Sequence, residues 1–264
     1  MHPKPSPEYY GLATGSTITI QLLPTNSNQL LNILSLPKRQ TYTITNFLGE
    51  GTRGIAFVAT VNNGTRSVGL KLIPLNRHLD NNKAYVTHEA QVLSNLGELE
   101  GPVGIWKGSL KVSTTTYRES LVIPTRLHSE TTLWDCLLDF DSKFGVQLLY
   151  DGARAALHRL HEERLHYTHG DPHAGNFTVD DQGNVSLIDF GHAKEPDAVV
   201  PIPELNTHAK RVERDLAFLK DTVLVAAENV LEALGPERFD YAGIGEVGRE
   251  KLKARMEEIV KVVK

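Results

Sequence analysis

The chain has 264 residues, 40% hydrophobic and 23% charged, which is the make-up of a folded soluble domain and excludes a disordered or fibrous chain. Its net charge of −4 comes from 28 basic and 32 acidic side chains with no long Lys/Arg block, so no nucleic-acid partner is expected. The single cysteine, Cys136, excludes an intrachain disulfide and points to a reducing compartment, the cytoplasm with the nucleus also open; no apolar run nears the roughly 18 residues of a membrane span, and MHPKPSPEYYGLATGS lacks the apolar stretch of a secretory signal, so no membrane is expected.

Residues 1–40 read as an N-terminal extension with one strand, STITIQLL at 16–23, and a short helix. TYTITNFLGEG (41–51) alternates as a strand. IAFVATV (55–61) is a second, NNG (62–64) a hairpin turn, and SVGLKLIP (67–74) a third strand. Residues 81–101 predict a helix, with Ala84, His88, Val92 and Leu96 recurring every fourth position and Gly97 and Gly101 as stops. Strands follow at 104–112 and 117–125. The rest is helix-rich: 131–140, capped by Thr131 or Thr132, then 143–165, and finally about 208–234 and 246–262. Between them, FTVDDQGNVSLIDFG (177–191) reads as strand, turn, strand, and 195–207 as a Pro-rich loop. There is no internal repeat.

Gly49, Gly51 and Gly54 form G-x-G-x-x-G, a weak signal alone. A dinucleotide turn requires a helix to start at the glycines. Here β-rich residues follow, so the glycines lie at the tip of a hairpin, where main-chain N–H groups can cover phosphates without side-chain obstruction. The loop 49–54 (Gly49, Glu50, Gly51, Thr52, Arg53, Gly54) is the candidate phosphate cover. Lys71 lies on the third strand, and Glu89 lies eighteen residues later on the helix. A flexible ammonium needs an orienting anion to present its charge in one place, which pairs the two. Glu98 and Glu100 are later candidates near the helix end. His88 packs or faces water.

His169, Asp171 and His173 alternate in THGDPHAGN (168–176), as three zinc ligands on a strand would. Pro172, Gly170 and Gly175 argue instead for a loop. Asn176 lies five residues after Asp171. Asp189 follows thirteen later and opens Asp189-Phe190-Gly191. A kinase catalytic loop has an aspartate base and an asparagine metal ligand at that short spacing, with a second metal aspartate opening D-F-G after a β-hairpin, and all of these occur here in order.

From about Thr41 to Asp215, roughly two-thirds of its length, the chain resembles the protein-kinase-like superfamily. The elements that carry the resemblance are GEGTRG (49–54), Lys71 in VGLKLI, Glu89, HGDPHAGN (169–176) and IDFG (188–191). The resemblance implies an α+β fold of two lobes, a β-rich N-lobe (41–125) and a short helical C-lobe (126–264), with MgATP in the cleft. It implies that residues 49–54 cover the ATP phosphates. Lys71 would bind them, held by Glu89. Asp171 would meet the acceptor hydroxyl, Asn176 and Asp189 would hold Mg²⁺, and His169 would brace the loop. Asp215, in RVERDLAFL, either anchors the loop's backbone or lies on a helix surface.

The pattern also departs from the family. Gly170 stands where an arginine commonly contacts a phosphorylated activation segment, which suggests activity without that phosphorylation. H-G-D, and His173 where protein kinases usually keep a lysine, are similar to the tRNA-modification-linked atypical kinases, the aminoglycoside phosphotransferases and the choline kinases. Only 73 residues follow Gly191, and there is no A-P-E. His192 and Lys194 could touch substrate or be solvated. The reading is an ATP-dependent phosphotransferase. A protein serine/threonine acceptor is favoured, and the alternatives are a small-molecule hydroxyl kinase and a pseudokinase used as a binding module.

Overall fold

The computed structural model describes residues 12, 14–22, 39–51, 54–61, 64–75, 79–112, 115–163, 166–234 and 245–264. The chain divides into two compact units, Met1–Leu127 and His128–Lys264.

Among the described residues, unit 1 is a closed antiparallel barrel with one helix. Its strands are β1 (Thr17–Leu22), β2 (Arg39–Glu50), β3 (Ile55–Val61), β4 (Ser67–Pro74), β5 (Gly104–Val112) and β6 (Thr115–Thr125), in the order β1-β2-β3-β4-β6-β5. The period-2 pattern decides what lies inside. Along β4, Val68, Leu70 and Leu72 join the barrel core with Ile18, Ile20 and Phe57, while Lys71 alternates to the other face. β1 is the expected strand of residues 16–23. It pairs with β2 (Ile18↔Tyr42) and with β5 (Ile20↔Trp106), and so completes the ring. The expected short helix lies outside the described residues, as do Asn62 and Asn63 of the hairpin turn.

Helix α1 (Leu79–Leu96) is shorter than the expected 81–101 at its C-terminal end. Gly97 adopts φ +72°, and the Glu98 N–H donates to Leu93 O at 2.8 Å, a left-handed stop. Nor is the every-fourth stripe the buried one. Of that set Val92 is buried, but Ala84 is exposed and His88 and Leu96 are half-buried; the buried face is Val86, Glu89, Ala90, Val92 and Leu93. A spacing of four drifts by about 40° per step around a 3.6-residue helix, so that set cannot stay on one face.

Among its described residues, unit 2 is helical with one small hairpin. Helix α2 (Leu133–Leu138) starts in a capping box, in which Thr132 Oγ1 accepts from Asp135 N–H and the Asp135 carboxylate accepts from Thr132 N–H. Helix α3 (Val146–His158) buries Leu149, Tyr150, Ala153 and Leu157 on one stripe. The expected helix 143–165 therefore begins later, and past His158 it widens into a π-type turn at Arg159–Glu163. The hairpin is β7 (Phe177–Val179) with β8 (Val185–Leu187). Helices α4 (His208–Ala233) and α5 (Gly245–Val263) pack on each other, and Arg255 of α5 donates to Cys136 O and Phe144 O. Cys136 is a buried free thiol. No helix among the described residues is long and apolar enough to cross a membrane.

Candidate active site

In unit 1, β2 and β3 meet at the glycine loop, with Glu50 opposite Ile55 and a register shift between Phe47 and Gly49. The Gly51 N–H donates to Gly54 O at 2.8 Å, which folds the loop back on itself. Gly54 is sterically required, because a Cβ there would lie 2.6 Å from Leu72 O. A Cβ at Gly49 would meet nothing within 4 Å among the described residues, and at Gly51 only Gly54 O at 3.8 Å. Among the described residues the space over these two is open. Thr52 and Arg53 lie outside the described residues.

Lys71 sits on β4 between Ala56 of β3 and Ile123 of β6. Its Nζ donates to Glu89 Oε1 at 2.8 Å and Oε2 at 3.1 Å. Glu89 is 1% exposed on the buried face of α1. One turn earlier, the Tyr85 ring lies with its centroid 5.6 Å from Nζ. Tyr85 lies four positions before the carboxylate and so shares its helix face, the one sequence signal that marks it. Glu98 and Glu100 pair elsewhere, with Arg126 at 3.8 and 3.3 Å, and Arg66 also meets Glu100.

In unit 2, the loop 169–176 is fixed by one buried carboxylate. Asp215 of α4 is 2% exposed. It accepts from His169 N–H at 2.6 Å, from Gly170 N–H at 2.9 Å and from His161 Nε2–H at 2.9 Å. It is therefore an anchor and not a helix-surface group. His169 Nε2–H donates to Ile188 O at 3.0 Å, its Nδ1 accepts from Asp171 N–H at 3.3 Å, and its ring packs on Phe190. Asp171 O accepts from Asn176 Nδ2–H at 2.8 Å, which turns the amide and leaves Oδ1 as its oxygen donor.

The hairpin brings Asn176 near Asp189. Phe177 pairs with Leu187, and Ile188 N–H donates to Asn176 O at 2.9 Å, so Asn176 and Asp189 share the open end. Asp180 ties the other end by accepting from Gln182 N–H and Asn184 N–H. Asp189 holds a left-handed backbone, φ 58° and ψ 73°, a strained choice for a residue with a Cβ. A carboxylate and an amide oxygen are hard donors of the kind magnesium takes. The alternating zinc set does not assemble: His169 faces Ile188, and His173 Nδ1 accepts from Gly175 N–H at 3.1 Å. Among the described residues no three His, Cys, Asp or Glu side chains form a metal cluster.

The model of the ABC1 atypical kinase-like domain matches residues 146–215, from the start of α3 to the anchoring aspartate. The chain is also similar to the serine/threonine-protein kinase pakC of Dictyostelium discoideum, 28% identical over 189 residues, covering 67% of this chain. Both similarities support assignment to the protein-kinase-like superfamily. The chain spans 36% of the length of that relative.

The loop has no room for an arginine at position 170. Gly170 has φ +83°, and a Cβ there would fall 2.5 Å from His192 O. His173 Nε2 lies 3.9 Å from Asp171 Oδ2. His192 is exposed, and Lys194 pairs its backbone with Thr168 in both directions, N–H to O at 2.8 and 2.9 Å.

Burial holds the His169 imidazole below its ordinary value of 6.5, so it is neutral in the fold. In the pH range between that lowered value and 6.5 the unfolded chain binds the extra proton, so stability is full above 6.5 and falls as pH drops below it. The expected result is a stability slope of up to about 1.4 kcal/mol per pH unit below 6.5 that His169→Gln reduces, read from urea midpoints at pH 5 to 8.

Proposed function

We propose that the chain is an ATP-dependent phosphotransferase whose units act as the N-lobe (41–125, preceded by the extension 1–40) and C-lobe (126–264) of a protein-kinase-like fold. The observation that carries this reading is the anchored loop: Asp215 fixes the backbone at His169 and Gly170, and Asn176 is turned by its bond to Asp171 O toward the hairpin end that Asp189 shares. Each unit has its part. The main chain of loop 49–54 covers the ATP phosphates and Lys71 binds them, steadied by Glu89 and Tyr85. Asn176 and Asp189 hold Mg²⁺, which when bound offsets phosphate charge. Asp171 orients the acceptor hydroxyl and takes its proton as the oxygen–γ-phosphorus bond forms and the bond to ADP breaks. His169, neutral and buried, braces the loop.

The acceptor we propose is a serine or threonine of a protein, and the similarity to a serine/threonine-protein kinase supports it. A small-molecule alcohol is the second reading, supported by Gly170 and by His173 beside Asp171. The lone buried thiol of Cys136 supports a reducing compartment such as the cytoplasm. Incubation with Mg²⁺ and γ-labelled ATP separates the acceptors. Label on the chain itself or on an added generic protein is the expected result. Label moving only to added small alcohols would replace it with the second reading.

A further inference from the structure

The segment after Asp189-Phe190-Gly191 lies on the surface of unit 2 with little to bury. Val199 is 89% exposed and Ile202 46%. Its regular structure is one 3₁₀ turn, Pro203–Leu205. Hydrophobic burial cannot be what holds such a stretch in one conformation.

Its carbonyls nevertheless converge on one side chain. Arg211, in the first turn of α4 and 5% exposed, donates through Nη1 to Ala198 O at 3.2 Å and Leu205 O at 3.0 Å. Through Nη2 it donates to Glu195 O at 2.8 Å and Pro196 O at 2.5 Å. The planar fork thus ties both ends of the segment and its middle to one helix. Two further bonds assist: Asn206 Oδ1 accepts from Val200 N–H at 3.1 Å, and Tyr167 Oη–H donates to Glu195 Oε1 at 3.1 Å.

The chemistry of the segment removes the usual alternative, a phosphate paired with arginine. Between Gly191 and Thr207 there is no serine, threonine or tyrosine. Thr207 itself caps α4, its Oγ1 accepting from Lys210 N–H at 3.3 Å. On the loop side, Gly170 has no room for an arginine to receive a phosphate.

We infer that Arg211 is a positioning residue that holds residues 195–206 in working conformation through main-chain carbonyls, so that activity needs no phosphate on this segment. The activity part rests on the phosphotransferase reading above; the positioning part does not. The test uses the full chain after phosphatase treatment, as wild type, Arg211→Lys, Arg211→Met and Asn206→Ala. Hydrogen exchange is followed at Ala198, Val200, Leu205 and Asn206, and ATP consumption is measured with MgATP as the only added substrate.

Arg211→Lys should speed exchange at these four amides by about tenfold or more while leaving α4 beyond Leu219 unchanged. It should lower kcat by about tenfold with KM for MgATP within about twofold. Asn206→Ala should speed Val200 alone. Wild type should keep its full rate after phosphatase. Unchanged exchange in Arg211→Lys overturns the positioning role, with Arg211→Met as a second check where it folds. A wild-type rate lost on phosphatase treatment together with faster exchange at these four amides overturns independence from phosphate. If wild type consumes no ATP, the phosphotransferase reading fails, and the exchange data still decide whether Arg211 holds the segment.

Discussion

Asp215→Ala is expected to lower the stability of the chain by about 3–5 kcal/mol, the largest effect of any single substitution outside the hydrophobic core. The carboxylate is 2% exposed and accepts three hydrogen bonds, from His169 N–H, Gly170 N–H and His161 Nε2–H. Alanine leaves three donors without their acceptor in a dry site, each costing about 1–3 kcal/mol unless water enters. Against a total stability of about 5–15 kcal/mol, that brings the protein near its unfolding threshold at 37 °C. Asp215→Asn should cost about half as much, since the amide keeps one oxygen but turns an NH₂ toward donors. Urea midpoints of the two variants read this directly. A loss below about 1 kcal/mol for alanine would mean that the loop is held by something other than Asp215.

The second large effect concerns the Lys71–Glu89 pair, where burial makes the two partners unequal. Glu89 is 1% exposed, whereas the Lys71 side chain keeps 14% of its surface. Lys71→Met takes the cation away from a buried carboxylate and should cost about 3 kcal/mol or more. Glu89→Gln leaves an ammonium that can turn toward water and should cost about 1–2 kcal/mol. Changing both, Lys71→Met with Glu89→Leu, should cost less than the sum, because no charge is left buried. Function should rank differently. Under the proposed chemistry Lys71→Met removes the phosphate contact itself, and Glu89→Gln only its alignment, so turnover should fall by about 10²–10³-fold in the first and less in the second. Equal stability losses for both single variants would contradict the asymmetry.

What the sequence made legible was local. The alternation of IAFVATV and SVGLKLIP follows from backbone sterics over a few residues, and β3 and β4 have the expected bounds. The Lys71–Glu89 pairing was also legible, since a strand lysine and a helix carboxylate at that spacing have a reason to meet. Closure of the barrel was not: alternation in residues 17–22 shows that a strand forms but not that it pairs with β5, some eighty residues away. Arg211 was invisible for a different reason. Its partners are carbonyls, which every residue carries, so no residue-type pattern marks them. Asp215 lay between these cases, one acidic residue on a polar helix until its partners were known to be backbone N–H groups.

The central claim is that Asp171 serves phosphoryl transfer from ATP, and it is tested most directly by following γ-labelled ATP with wild type and Asp171→Ala in Mg²⁺. The account predicts that wild type releases or transfers the label, that Asp171→Ala is slower by about 10²–10⁴-fold, and that the two bind MgATP within about threefold of each other. A wild type that neither binds MgATP nor consumes it, or an Asp171→Ala variant that turns over at the wild-type rate, would contradict it.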